Sequence, residues 1–282
     1  MAEENADQKA FWENWADHWV NSQADLDGLM APVLDRVFSR ADLRPGQRVL
    51  DIGCGAGTST QLAAEAVAPG GHVTGADISA PMLAQARKST AGLTGLAFIA
   101  ADVADHDFGP PGFDRVISRF GVMFFADPQA AFCNIARAMK PGARLSMACW
   151  SGLERNPWFR VPMIAAKERL GAPPPLHADA PGPLAFRDIN RVTSILHSAG
   201  FSDIEGQADA LMLTPPGDLI HLAGHAARIG PASRTLEYFE ADQADVNAIV
   251  QQVAGAFEEY MTPDGARVPA EINFFTATAP QR

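Results

Sequence analysis

Positive charge is scarce in this 282-residue chain: 22 Lys and Arg stand against 33 Asp and Glu, a formal charge of -11, and the basic residues nowhere cluster. An acidic surface without a basic patch repels phosphate backbones and anionic bilayers, so neither nucleic acid nor a membrane surface is expected as a partner. No apolar run approaches the roughly 20 residues a membrane helix needs. The opening Met1-Ala-Glu-Glu-Asn-Ala-Asp7 is acidic where a secretory signal is basic, which points to the cytoplasm. Cysteine is rare too. Cys54, Cys133 and Cys149 are scattered without C-x-x-C spacing, so no disulfide framework and no metal site is expected. Internal repeats and low-complexity tracts are also missing, and nothing in the sequence fixes an oligomeric state.

With 47% apolar residues in 30.0 kDa, the chain can bury a full core as one large domain or one domain with a lid. Its most informative stretch is Arg48-Val-Leu-Asp-Ile-Gly-Cys-Gly-Ala-Gly-Thr58. Val49, Leu50 and Ile52 predict a buried parallel strand, Gly53, Gly55 and Gly57 a tight turn, and residues 59–68 a helix. Glycine lets a ligand lie against the backbone beside the partly positive helix N-terminus, although the same turn needs glycine without a ligand as well. A dinucleotide fingerprint would place its last glycine at Thr58, and a Walker loop would need Gly-Lys-Ser/Thr; neither is present. The only tyrosines, Tyr238 and Tyr260, begin no Tyr-x-x-x-Lys pair, which further disfavours a nicotinamide oxidoreductase.

Carboxylates recur with the pace of a strand-plus-helix unit. Asp51 lies in the first strand, Asp77 ends a second at residues 72–77, and Asp102 ends a third at 96–102. In βαβ nucleotide folds the acid after the second strand accepts hydrogen bonds from ribose hydroxyls, the role expected of Asp77. Ser79 and Pro81 then open a helix, with Ile78 and Met82 placed to flank an adenine. Residues 113–119 and 144–150 predict strands four and five, separated by the apolar loop 120–125 and a helix capped by Asp127 and ended by Lys140-Pro-Gly142.

The run Asp51-Ile-Gly-Cys-Gly-Ala-Gly57, the segment Phe120–Pro128 and Lys140-Pro-Gly-Ala-Arg-Leu145 together resemble the motifs of class I S-adenosylmethionine-dependent methyltransferases. They are most similar to the small-molecule, quinone-biosynthesis-like branch, and the resemblance is specific over residues 46–150. It implies a doubly wound, Rossmann-like α/β fold of seven strands in the order 3-2-1-4-5-7-6 with strand 7 antiparallel. It implies S-adenosyl-L-methionine as cofactor and S-adenosyl-L-homocysteine as product. Asp51, Gly53, Cys54, Gly55, Asp77, Ile78, Met82, Asp102, Val103 and Ser118 would hold that cofactor, Asp102 at the adenine amino group and Val103 through its amide. Asp102 also reads as a helix cap or loop acid, and Cys54 as a small packing residue.

Outside the motifs the chain divides into a helical lid (1–45), the cofactor core (46–150), a cap without regular period (151–185) and a remainder (186–282). That last part carries helical patterns at 217–228 and 244–260 inside an insertion at about 216–262, between a sixth strand at 204–213 and a last strand at 271–277. An aromatic stripe, Phe11, Trp12, Trp15 and Trp19, either docks on the core or closes over the cofactor; a second helix carries Leu26 to Phe38.

Such an enzyme needs few catalytic side chains, because the cofactor brings its own electrophile. The sequence lacks an Asn/Asp/Ser-Pro-Pro-aromatic motif after strand four and any Pro-Cys dipeptide, which argues against nucleobase acceptors. A small, apolar or aromatic acceptor is expected, methylated on O, S or C, with Trp12, Trp15, Trp19, Phe120, Met123, Trp150 and Trp158 around it. His18, His177, His221 and His225 are the candidate bases, each equally readable as a surface or packing residue, and Arg119 can pair with an acidic substrate or a neighbouring carboxylate. The rival readings are a non-catalytic cofactor-binding regulator and a different one-carbon transfer on the same fold.

Overall fold

The computed structural model describes residues 23–281. The aromatic stripe of the first segment, with Phe11, Trp12, Trp15, His18 and Trp19, lies outside them. Strands β1 (Arg48–Ile52), β2 (His72–Asp77), β3 (Leu96–Ala100), β4 (Phe113–Arg119), β5 (Met139–Trp150), β6 (Ser202–Leu213) and β9 (Val268–Thr278) form one sheet, and β7 (Met261–Thr262) with β8 (Gly265–Ala266) a short hairpin. The order is β3-β2-β1-β4-β5-β9-β6, and β9 alone runs antiparallel to the rest of the sheet, the topology the family resemblance implied.

The central strands are apolar runs because helices cover both faces of a parallel sheet. Val49, Leu50 and Ile52 are at most 1% exposed, and Val116, Leu145 and Phe275 are wholly buried. Helix α1 (Gln23–Ala41) presents Leu26, Leu29, Met30, Val33 and Val37, a helical stripe, and packs on β4, β5, β6 and β9. Its far end is pinned to the sheet edge: Arg36 and Arg40 reach Asp209 of β6 at 2.7 and 3.0 Å, and the Arg40 guanidinium lies 4.4 Å from the centre of the Phe274 ring. Helices α2 (Thr58–Val67) and α3 (Ala80–Ser89) follow β1 and β2. Asp127 caps α4 (Pro128–Ala138) by accepting the Ala130 amide at 2.9 Å. Strand β5 starts at Met139, five residues before the expected Arg144, because Met139 pairs with Phe113 across an irregular step in β4.

Segment 151–185, expected to lack a regular period, contains helix α5 (Pro157–Leu170). Trp158, Phe159, Pro162, Ala165 and Ala166 form its buried face, but Val161, Met163 and the exposed Ile164 put apolar residues on the other faces too, which blurs the stripe in the sequence, and two prolines disguise it further. Helix α6 (Ile189–Ser198) precedes β6. Between β6 and β9 lie α7 (Leu219–Ala227), α8 (Pro231–Tyr238) and α9 (Gln243–Phe257), of which α8 was not expected; all three pack with α5. Among the described residues no helix is long and apolar enough to cross a membrane.

One close approach fixes the centre of the fold. A Cβ on Gly53, where φ is +66°, would lie 2.5 Å from the Gly121 Cα, so the loops after β1 and β4 meet backbone to backbone. Gly92, at φ +86°, has nothing within 4 Å of the same position. Both Gly53→Ala and Gly92→Ala pay the left-handed strain of roughly 1 kcal/mol, but Gly53→Ala should cost a further ~1–3 kcal/mol by overpacking. Urea unfolding of the two variants measures the difference, and equal losses would refute the backbone contact.

Candidate active site

A cavity of about 240 Å³ lies at the C-terminal ends of β1, β2 and β4, where the order of connection reverses and open α/β sheets bind their ligands. The loop Gly53–Gly57 lies along it, with Asp77 and Ile78 after β2 and residues 101–103 after β3 beside it. Gly53, Gly55 and Gly57 all have positive φ, and a Cβ on Gly57 would lie 2.9 Å from the Ala86 Cβ. The loop holds its shape partly through Asp77: Oδ2 accepts the Gly55 amide at 2.8 Å and Oδ1 the Ser79 amide at 2.9 Å. Burial raises the Asp77 pKa above its ordinary value of 3.8, against the lowering effect of those backbone N–H groups. Two ionised carboxylate oxygens offer about four acceptor positions, so capacity remains after both bonds.

Asp102 lines the cavity while its Oδ1 accepts the Ala104 amide at 2.9 Å, closing a turn that leaves Val103 at the wall. Met82 also lines it. Asp51 and Ser118, expected at the cofactor, do not reach the cavity. Asp51 is 1% exposed and accepts the Ser59 and Thr60 hydroxyls at 2.6 and 2.7 Å, tying the end of β1 to α2; burial raises its pKa. Ser118 is buried and donates to the Ile52 carbonyl at 2.8 Å, fastening β4 to β1. Both stand behind the loop because they close buried polar valences of the strands that carry it.

Helix α1 supplies residues that the sequence did not single out. Asp27 Oδ1 pairs with Arg119 Nη2 at 2.7 Å, its Oδ2 accepts the Thr58 hydroxyl at 2.6 Å, and Gln23 donates to Thr58 Oγ1 at 3.0 Å. All four side chains line the cavity, and Arg119 Nη1 is buried without a partner among the described residues. The only signal in the sequence was Arg119 itself, a cation at a strand mouth that requires a carboxylate.

The other end is aromatic. Phe120 sits at φ +68°, a strained conformation for a bulky residue, and stacks on Trp150 with ring centres 4.9 Å apart and planes at 9°. Phe159 abuts Trp150 at 4.5 Å, and Met123, Phe124 and Ile229 complete the wall. Trp158 does not belong there: it is 1% exposed and stacks on Phe257 of α9, on the other side of α5. His177 is exposed and accepts the Asp179 amide, while His221 and His225 turn to Asp25; none of these three lines the cavity.

A family profile described as a methyltransferase domain matches residues 49–142. Nocamycin O-methyltransferase of Saccharothrix syringae is 31% identical over 198 residues, covering 66% of this chain and 70% of that protein. The chain belongs to the class I S-adenosylmethionine-dependent methyltransferases. Demethylmenaquinone methyltransferase of Clavibacter sepedonicus is 37% identical over 100 residues, 36% of this chain and 40% of that one. The structure of Haemonchus contortus phosphoethanolamine N-methyltransferase 2 in complex with S-adenosyl-L-methionine shares the fold at a TM-score of 0.54 and 20% identity, over 88% of this chain and 53% of that one. The cavity fits this family's cofactor: a positive-φ glycine loop that brings backbone to its wall, a carboxylate with acceptor capacity and a buried orphan guanidinium nitrogen lie around one space.

Burial pushes the thiols of Cys54 and Cys149 well above their ordinary pKa of 9.0, and only Cys133 is half-exposed. A thiol that stays protonated does not attack. The native enzyme at pH 8 should therefore release at most one equivalent from a disulfide reagent within minutes, and all three once denatured. Fast reaction of Cys54 would refute its packing role.

Proposed function

We propose that this methyltransferase carries a methyl group to an acidic hydroxyl, phenolic or enolic, of a small, largely apolar acceptor. The observation that supports it is the wall of Phe120, Met123, Phe124, Trp150, Phe159 and Ile229, which holds no His, Lys or Tyr among the described residues. S-adenosylmethionine supplies a methyl group on a cationic sulfur. Asp77 accepts the ribose hydroxyls, and Asp102 with the Val103 amide reads the adenine. Arg119 Nη1 takes the amino-acid carboxylate, with Asp27 beside it for the ammonium. The stacked rings of Phe120 and Trp150 align a flat acceptor and exclude water. Holding the two reactants in line is worth ~7–11 kcal/mol. With no basic side chain at that end among the described residues, the acceptor's own acidity provides the oxyanion. The Saccharothrix relative is an O-methyltransferase, which favours oxygen over sulfur or carbon.

Methyl transfer from labelled cofactor across phenols, enols, thiols and amines tests the acceptor. Phenols and enols should turn over, and the rising limb of the kcat/KM pH profile should follow each acceptor's own pKa. One fixed pKa across the series, or turnover of amines alone, would overturn the reading. Asp77→Ala should weaken S-adenosylhomocysteine by ten- to hundredfold, the ~1.5–3 kcal/mol of a charged hydrogen bond. The ionised Asp77 is the better acceptor and its pKa is raised, so wild-type affinity should fall on acidification while pH is still above 3.8. Calorimetry on both proteins measures it; a variant as tight as wild type would remove Asp77 from the cofactor site.

A further inference from the structure

Away from the cavity, α7 carries two histidines one turn apart, His221 and His225, facing Asp25 at the start of α1. His221 Nε2 lies 2.8 Å and His225 Nε2 3.0 Å from the same oxygen, Asp25 Oδ2, and the two Nε2 atoms are 3.2 Å apart. Three potential ligand atoms thus form one small triangle. Around a tetrahedral ion with bonds of about 2.0–2.1 Å, ligand atoms sit about 3.3 Å apart, so the triangle needs to open by no more than about half an ångström to hold one.

Hydrogen bonding alone leaves this arrangement unsatisfied. With a hydrogen on both Nε2 atoms, two donors crowd one oxygen and face each other at 3.2 Å. With a hydrogen on only one, the lone pair of the other faces the carboxylate oxygen. A cation at the centre meets all three lone pairs at once. The surroundings are built for the rings: a Cβ on Gly217 would lie 2.6 Å from His221 Cδ2, and Asp218 accepts the His221 amide at 2.9 Å, fixing the first turn of α7.

We propose that Asp25, His221 and His225 bind a divalent first-row transition ion, Zn²⁺ above all, which clips α1 to α7. Imidazole nitrogen selects such ions over calcium and magnesium, and a single carboxylate completes three protein ligands with a fourth position for water. The clip joins two walls of the cavity: Asp25 precedes Leu26 and Asp27, and α7 leads into Ile229 and Gly230. This inference does not depend on the identity of the methyl acceptor.

The test uses the full-length chain without an affinity tag, stripped with chelator and dialysed against Zn²⁺. Wild type should retain one equivalent and gain melting temperature, as any ligand of the folded state produces. Co²⁺ in its place should give visible ligand-field bands. His221→Ala and His225→Ala should each weaken Zn²⁺ by roughly tenfold or more and abolish the bands. Should an alanine variant fail to fold, Asp25→Asn provides the same comparison at nearly constant shape. Zn²⁺ binding to wild type no tighter than to these variants, or no binding to wild type at all, would overturn the proposal.

Discussion

The site depends on the contact between Gly53 and Gly121, where two loop backbones touch with no room for a side chain on either. That contact brings the mouths of β1 and β4 together at the point where the sheet's connections diverge, and the cavity opens beside it. The polar groups around it enforce the approach. Ser118 bonds β4 to the Ile52 carbonyl, and Asp51 draws two hydroxyls of α2 under the loop. A buried carboxylate is costly to ionise, and two short hydroxyl bonds offset part of that cost. Asp51 therefore acts on the site indirectly, by holding the glycine turn that lies along the cavity.

Two electrostatic regimes divide the cavity. At one end carboxylates, a guanidinium and backbone amides gather around the glycine loop; at the other, stacked rings leave a surface with almost no polar atoms. The transfer we propose, from a cationic sulfur to an oxyanion, destroys charge in both reactants, and an apolar wall favours that direction because it solvates the separated charges poorly. The strained backbone of Phe120 belongs to this division. Its left-handed conformation turns the ring onto Trp150 at the boundary between the polar and apolar ends.

The architecture was legible because it rests on local signals: an apolar run, three glycines and acids repeated at one strand-plus-helix interval. The capped helices at Ser79 and Asp127 followed from such signals, and the strand order from the family resemblance they supported. What escaped was set by packing in three dimensions. Helix α5 carries apolar residues beyond its buried face, Ile164 in solvent among them, so neither its existence nor the direction of Trp158 could be read from spacing. Asp51 and Ser118 were placed at the cofactor by the family resemblance, whereas both are buried and spend their oxygens on bonds among β1, β4 and α2. Asp27 and Asp25 lie on a helix whose apolar stripe drew all the attention, and their partners are Arg119 and, 196 residues away, His221. The His-x-x-x-His spacing on a helical pattern was the one visible cue to the second cluster.

The excursion carrying α7, α8 and α9 leaves the sheet after Leu213 and re-enters at Val268, two residues paired across β6 and β9. Its departure and return are thus stapled into neighbouring rungs of one ladder, and only a short stretch around Ile229 and Gly230 dips back to the reaction chamber. The rest of the excursion leans on α5, so a change of sequence or length within it is felt at the chamber through that one short stretch and through α5.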